Sequence, residues 1–182
     1  MAHLFAGEVA YRDLDLDIVT FLPAGTPWQK ADRSISTAGH RWEMTRLAVD
    51  DVSYFEADDR EVLREGWTYT VDTLAEFGDD DLVLILGADA AARIPTWRRP
   101  NEVLKLATVA VVPRPDTTES AVVEALPGGF HWLGGPELDI SGTMLRSRLA
   151  EGRSVRFLVP DAVAAYIGEH GLYAPEGDPP SL

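Results

Sequence analysis

The segment ISGTMLR, residues 140–146, places two hydroxyl side chains and an arginine at the predicted start of a helix. The hydroxyl groups of Ser141 and Thr143 lie beside backbone N–H groups that have no partner within a helix, and such a helix start binds anions. Arg146 follows one turn later, where a guanidinium adds a charge-assisted hydrogen bond to a phosphate. A plain N-cap beside a solvated arginine explains the same residues, because Ser and Thr are common caps. The segment therefore indicates an anion site without establishing it.

Two charged residues follow predicted strands, at the sheet edge where α/β folds bind their ligands. Lys30 ends the loop PAGTPWQK, residues 23–30, which comes directly after a strand. Asp89 ends the run LGAD, residues 86–89. A carboxylate at such an edge accepts hydrogen bonds from both hydroxyl groups of a ribose, and a lysine there lies on the side of the sheet where ligands bind. An ordinary solvated surface residue is the alternative for Lys30.

Aromatic and hydroxyl residues form a third group. The run WTYTVDT, residues 67–73, opens a predicted helix, and PTW, residues 95–97, follows the strand that ends near Asp89. The aromatic face of Trp97 is able to take a planar ring. The alternatives are a cap-type role for Asp72 and a core position for Trp97.

The elements that must position these residues alternate between short apolar strands and helices. Residues 82–87 are a continuous apolar run, which is typical of a strand buried on both faces in a parallel sheet. The alternation predicts an α/β class with a mainly parallel, doubly wound sheet and flanking helices. The predicted strands are 18–22, 52–57, 82–87 and 108–113, and the predicted helices are 3–14, about 37–49 with Ser36 or Thr37 as cap, 70–77, 103–106, 141–151 and 161–170.

Composition limits the classes of protein that fit. A chain of 182 residues suits one domain. The absence of cysteine excludes a disulfide framework and cysteine-based zinc sites, and it suits a reducing cytoplasm. No apolar run approaches the roughly 20 residues of a membrane span. The formal net charge of −14 repels a polyanion, so we expect no nucleic-acid partner, although small anionic nucleotides remain compatible where basic side chains cluster.

In this order and on these elements, the segments resemble the motifs of the bacterial nicotinate-nucleotide adenylyltransferases. These are Rossmann-like nucleotidyltransferases with the motifs P-A-x-x-P-x-x-K, Y-T-x-D-T, G-A-D, P-T-W and I-S-S-T-x-x-R. One position departs, because Gly142 stands where the second serine of the last motif usually lies. The C-terminal stretch also resembles the family's closing helix, so the likeness covers residues 1–173 as one domain. Residues 174–182 are expected to form a flexible tail.

The resemblance implies transfer of an adenylyl group from ATP to nicotinate mononucleotide, with Mg²⁺ accompanying ATP and no metal-ligating side chain. It leaves open whether the chain forms a homo-oligomer. Backbone amides near residues 68–70 and the edge of the PTW indole are expected to bind the nicotinate carboxylate. A pantetheine-phosphate adenylyltransferase is the alternative enzyme, which the Y-T-x-D-T and P-T-W motifs disfavour. The implied catalytic residues are His3, Lys30 and Arg146, the implied ATP contacts are His3, Asp89, Ser141, Thr143 and Arg146, and the implied mononucleotide contacts are Thr68, Tyr69, Thr70, Asp72 and Trp97.

The start of the chain departs from the family pattern. A full member begins with a strand that ends in G-G-x-F-D-P-x-H-x-G-H; here His3 matches the second histidine, and Ala2 stands at the glycine before it. A histidine without a role is the alternative for His3. The first histidine and the backbone amides of the glycine loop have no counterpart in this sequence. Losing one well-placed donor costs on the order of 10²–10³ in rate, so we expect a poor enzyme.

Two explanations fit this start. Either it was assigned downstream of the true one, or the chain is a short nucleotide-binding protein without catalysis. An in-frame G-G-x-F-D/N-P-x-H in the DNA upstream supports the first. In the fold that the resemblance implies, the first strand lies in the middle of the sheet, between the strands at 18–22 and 82–87, and we expect this central strand to be missing here. In both cases these two strands should flank a gap, or the sheet should be broken in two.

Overall fold

A computed structural model of the chain describes residues 1–26, 36–78 and 80–174. Parallel strands alternate with helices along these ranges, as the sequence predicts. The strands are β1 (Val19–Phe21), β2 (Phe55–Ala57), β3 (Leu82–Gly87), β4 (Ala107–Val112) and β5 (His131–Trp132). The helices are α1 (Ala2–Asp13), α2 (Ala38–Val49), α3 (Arg60–Leu63), α4 (Thr70–Ala75), α5 (Ala88–Ala91), α6 (Pro100–Leu106), α7 (Glu119–Ala125), α8 (Gly142–Ala150) and α9 (Asp161–Glu169), with a short 3-10 helix at Ile94–Thr96.

The strands form two separate parallel sheets. One sheet has the order β1-β2, with Val19 opposite Phe55, and the other has the order β3-β4-β5, with Leu82 opposite Ala107. Within the described ranges no strand joins β1 to β3. The α/β class with parallel pairing is confirmed, and so is the expectation of a sheet broken in two.

Helix α1 packs against both sheets. Its fully buried Ala10 lies in one apolar cluster with Ala110 of β4, while Leu4 packs on the cluster that contains Val19 of β1. A Cβ atom at Gly7 would lie 2.8 Å from the ring of Phe21, so this contact requires a glycine. One helix therefore packs on both sheets, with Ala10 facing one and Leu4 the other.

The expectation that residues 82–87 are buried on both faces is wrong. Every residue of β3 is partly exposed, whereas five of the six residues of β4 are buried. Strand β4 has a hydrogen-bonded neighbour on each side, but β3 pairs only with β4 among the described residues. The exposure of β3 therefore follows from its position at a sheet edge rather than from its composition.

Local hydrogen bonds decide where the helices begin. Of the two candidate caps of α2, Thr37 fills the role, and its hydroxyl accepts a hydrogen bond from the backbone N–H of His40 at 3.4 Å. Helices α3, α5 and α7 and strand β5 were not predicted, because they are too short to show a hydrophobic period. No helix in the described ranges has both the length and the apolar character that crossing a membrane requires.

Candidate active site

The start of α8 combines a cap with an accessible polar surface. The hydroxyl of Ser141 accepts a hydrogen bond from the N–H of Met144 at 3.2 Å, which confirms Ser141 as the N-cap. Ser141, Gly142 and Thr143 are all exposed. The guanidinium of Arg146 donates to the hydroxyl of Thr143 at 3.3 Å. The first turn thus presents a hydroxyl, backbone donors and a positive charge on one accessible surface.

Gly142, the departure from the family motif, affects the position of Arg146. A Cβ atom at Gly142 would lie 3.0 Å from Nη1 of Arg146. The glycine therefore lets the guanidinium lie across the first turn of α8, closer than a side chain at position 142 would comfortably allow.

The carboxyl ends of β3 and β4 bring together Asp89 and a residue that the sequence analysis missed, Arg114. Nε of Arg114 lies 3.9 Å from Oδ1 of Asp89, and Nη1 donates to the backbone oxygen of Leu138 at 3.0 Å. Leu138 lies three residues before Ser141, so one arginine connects the ends of two strands to the segment that enters α8. The available signal was a basic residue directly after a buried strand, at the edge where such sheets bind ligands.

The carboxylate of Asp89 remains open to solvent. Its side chain is 49% exposed, and its second oxygen accepts a hydrogen bond at 3.3 Å from Arg93, one turn later. An exposed pair of this kind is worth little energetically, so a ligand hydroxyl is able to replace it at low cost.

The WTYTVDT and PTW motifs meet through the two arginines that follow Trp97. The guanidinium of Arg98 lies 4.5 Å from the centroid of the Tyr69 ring, and Arg99 forms an ion pair with Asp72. These contacts hold the start of α4 against the segment that carries Trp97. Asp72 makes an ion pair here rather than a cap bond.

Two of the three threonines of the same motif, Thr68 and Thr70, differ in their surroundings. Thr68 is buried, and its N–H donates to the backbone oxygen of Thr26 at 3.2 Å. That N–H is therefore already engaged, which argues against Thr68 as a backbone donor to a carboxylate. Thr70 is partly exposed at the first position of α4.

Trp97 belongs partly to the core. Its indole packs against the apolar cluster that contains Ala91, Ile94 and Val111, and its Nε1 is buried with no hydrogen-bond partner among the described residues. The side chain as a whole is only partly buried. Core packing fixes one part of the ring, and the rest remains accessible.

Lys30 lies outside the described residues, but the described segments before residue 27 and after residue 35 meet at one side chain. Nε of Arg41, on α2, donates to the backbone oxygen of Ala24 at 3.2 Å, and its Nη2 donates to the backbone oxygen of Gly25 at 2.5 Å. Its Nη1 donates to the backbone oxygen of Ser36. Partial burial lowers the pKa of the Arg41 guanidinium. The hydroxyl of Tyr173 adds a hydrogen bond to Oγ of Ser36 at 2.7 Å.

His3 is exposed in the first turn of α1. The amino group of Met1 donates to the backbone oxygen of Leu158 at 3.3 Å. The residues around Leu158, Val155 and Val159, line a pocket of about 140 Å³ together with Gly142 and Arg146. The segment 155–159 therefore connects the start of α1 with α8.

Protein carboxylates and histidines do not form a metal cage in the part of the chain that the structure describes. No group of three or more His, Cys, Asp or Glu side chains there is arranged to hold an ion.

Comparisons with known proteins identify the family of this chain. The cytidylyltransferase-like family model matches residues 1–148. A relative from Dehalococcoides mccartyi, named "Probable nicotinate-nucleotide adenylyltransferase", is 40% identical over 184 residues, which cover 94% of this chain and 89% of the relative. Relatives of the same name from Roseiflexus sp. and Streptomyces coelicolor are 43% and 41% identical, covering 94% and 96% of this chain and 90% and 94% of their own lengths.

The fold also matches a solved structure. The nicotinic acid mononucleotide adenylyltransferase of Plasmodium falciparum, complexed with NaAD, superposes with a TM-score of 0.70 at 16% identity, covering 93% of this chain and 90% of that one. The extent of the family match and the identity to these relatives establish that the chain belongs to the cytidylyltransferase-like family, among the nicotinate-nucleotide adenylyltransferases.

Proposed function

We propose that this protein transfers the adenylyl group of ATP to nicotinate mononucleotide, giving deamido-NAD and pyrophosphate. The observation that carries the proposal is the ion pair of Asp89 with Arg114 at the carboxyl ends of β3 and β4, together with the hydrogen bond from Arg114 to Leu138 in the segment that enters α8. This edge holds a ribose acceptor and a guanidinium, and the segment that this guanidinium binds leads into a helix start that suits phosphate. The names of the relatives support the same reaction.

The ATP side of the site lies along α8. Ser141, Thr143 and Arg146 donate to the phosphates, and His3 at the start of α1 adds a further donor. The exposed carboxylate of Asp89 accepts the ribose hydroxyl groups. Because the first turn of α8 is exposed, these donors are accessible without any rearrangement of the helix.

The mononucleotide side lies between α4 and the segment that carries Trp97. The accessible part of the indole stacks on the pyridine ring, since two flat aromatic systems attract each other in offset arrangements. Thr70 and Tyr69 contact the nicotinate group, while the pairing of Asp72 with Arg99 holds the two walls of the pocket together. Lys30, which lies outside the described residues, binds phosphate as the resemblance implies.

The reaction requires alignment more than acid–base chemistry. An oxygen of the mononucleotide phosphate forms a bond to the α-phosphorus of ATP, and the bond from that phosphorus to the bridging oxygen breaks, releasing pyrophosphate. The protein contributes by holding two anions in line and by stabilising the spread negative charge with donors. Arg114 and Arg146 supply the positive charge nearest to the phosphates.

Mg²⁺ suits this site as a partner of ATP. The cation prefers oxygen ligands and is usually held through substrate phosphates and one or two carboxylates. The described residues offer the exposed carboxylate of Asp89 at the edge of the site, an oxygen ligand of the kind that Mg²⁺ prefers. The ion would neutralise charge on the phosphate oxygens.

The proposal is tested by mixing the protein with ATP, MgCl₂ and nicotinate mononucleotide and following pyrophosphate release, with deamido-NAD identified by mass. Parallel reactions contain phosphopantetheine in place of the mononucleotide, or EDTA in place of MgCl₂. We expect deamido-NAD in the first reaction and none in the others. Nucleotide binding without any product would instead identify a binding protein without catalysis, and turnover of phosphopantetheine would identify the alternative enzyme.

A further inference from the structure

Arg41 has an unusual set of partners for an arginine. Its guanidinium is partly buried, and its hydrogen bonds go to the backbone oxygens of Ala24, Gly25 and Ser36. These residues come from two segments that are eleven or twelve positions apart in the chain. A planar group with five donors is able to bind several carbonyl oxygens at once, whereas an ammonium group is a single point donor. The side chain thus joins the segment after β1 to the segment before α2.

The segment that Arg41 holds continues directly into the mononucleotide side of the site. Thr26 follows Gly25, and its backbone oxygen accepts the hydrogen bond from the N–H of Thr68. Gly25 is buried, and a Cβ atom there would overlap the backbone oxygen of Glu61. The contact between residues 24–26 and residues 61–68 is therefore close and leaves little freedom. A displacement of Gly25 moves Thr26 and, through it, Thr68.

We propose that Arg41 is a positioning residue for mononucleotide binding, which it affects through the chain of contacts Arg41, Gly25, Thr26 and Thr68. Arg41 touches neither substrate. Its loss shifts the start of the WTYTVDT motif and so weakens the pocket for nicotinate mononucleotide. The ATP side is formed by α8 and the ends of β3 and β4, and no hydrogen bond among the described residues joins Arg41 directly to them, so ATP binding should change much less than mononucleotide binding. The inference rests on the proposed function.

The test compares Arg41→Ala and Arg41→Lys with Arg46→Ala. Arg46 lies on the same helix, is exposed, and pairs only with Glu43 in the described contacts, which makes it a matched control. For Arg41→Ala we expect KM for the mononucleotide to rise about tenfold, the size of losing one or two hydrogen bonds, while KM for ATP stays within about twofold. Arg41→Lys should fall between the wild type and Arg41→Ala, because one ammonium group replaces only some of the carbonyl contacts. Arg46→Ala should behave as the wild type.

A second measurement does not depend on turnover. Hydrogen–deuterium exchange should become faster at the Thr68 amide in Arg41→Ala and stay unchanged in Arg46→Ala. If Arg41→Ala does not fold, Arg41→Lys carries both comparisons. Equal changes of the two KM values, or no change at the Thr68 amide, would overturn the proposal. If the wild type forms no deamido-NAD, the proposed function fails, while the exchange comparison still decides whether Arg41 acts on Thr68.

Discussion

Arg114 and Asp89 approach to 3.9 Å, from Nε to Oδ1, across the carboxyl ends of the neighbouring parallel strands β4 and β3. This is an ion pair without a hydrogen bond, since that distance exceeds hydrogen-bond range. Gly87 makes the approach possible, because a Cβ atom there would lie 2.8 Å from Oδ1 of Asp89 and 3.1 Å from Nε of Arg114. The two charges therefore face each other closely enough to act on one ligand and remain loosely enough paired to exchange partners with it.

Arg114→Ala should lower kcat/KM for adenylyl transfer by a factor on the order of 10²–10³, the usual cost of removing one well-placed donor. The control is Arg93→Ala, because Arg93 bonds to the same carboxylate in an exposed pair and such pairs contribute little. Steady-state kinetics with both substrates provide the measurement. Equal losses of kcat/KM in the two variants would mean that any positive charge near Asp89 has the same effect and that Arg114 has no specific role.

Ser141→Ala tests the start of α8. Loss of the cap should destabilise the protein by about 1 kcal/mol. The matched variant is Thr118→Ala, because Thr118 caps α7 through the same kind of bond and lies outside the proposed site. Thermal unfolding should show similar losses of stability in Ser141→Ala and Thr118→Ala, whereas only Ser141→Ala should lower kcat. Unchanged kcat in Ser141→Ala would mean that Ser141 serves only as the N-cap of α8.

Trp97→Ala should weaken binding of the mononucleotide by about 1–3 kcal/mol, because stacking is lost, and should weaken binding of ATP much less. Because the indole also packs on the core, the same change should lower stability. Trp97→Phe keeps an aromatic face and removes a buried N–H that has no described partner, so it should retain most of the affinity. Separate binding titrations with the two substrates distinguish these effects. If only the apparent dissociation constant for ATP rises, the two pockets have been assigned to the wrong substrates.

Gly25→Ala should destabilise the protein by about 1–3 kcal/mol, because the added methyl group overlaps the backbone oxygen of Glu61 and forces a backbone shift. Gly39→Ala is the control in α2, where an added Cβ atom meets nothing within 4 Å. That change should stabilise by about 0.4–1 kcal/mol, because it restricts the unfolded chain. Chemical denaturation measures both, and equal effects would contradict the close packing of residues 24–26.

Nicotinate mononucleotide should be used in preference to nicotinamide mononucleotide. A site whose donors are arranged for a carboxylate leaves them poorly paired when a neutral amide replaces it. Thr68 does not contribute its N–H, which Thr26 already binds, so the preference rests on residues 69–70 and on the edge of the Trp97 ring. Competition between the two mononucleotides, read by mass of the products, is the measurement, and equal turnover would remove the claim.

The sequence by itself determined the features that depend on neighbours along the chain. The cap and first turn of α8 follow from Ser141 and Thr143, because the hydrogen bonds concerned join residues three positions apart. The α/β class follows from the alternation of apolar runs with helical segments, and the parallel pairing of β3 with β4 follows from that alternation. Each of these interactions is local or repeats regularly, so a pattern of residue types reveals it.

Only the tertiary structure decided which distant residues meet. Arg114 lies beside Asp89 because their strands are neighbours in the sheet. Arg41 reaches Gly25 because α2 packs beside the end of β1. The spacing of residues along the chain predicts neither contact. The partial exposure of β3 likewise depends on which strands pair with it, since its apolar composition alone predicts burial on both faces. Contacts between distant segments form only when the fold brings them together, and the residue types at each end are ordinary when considered separately.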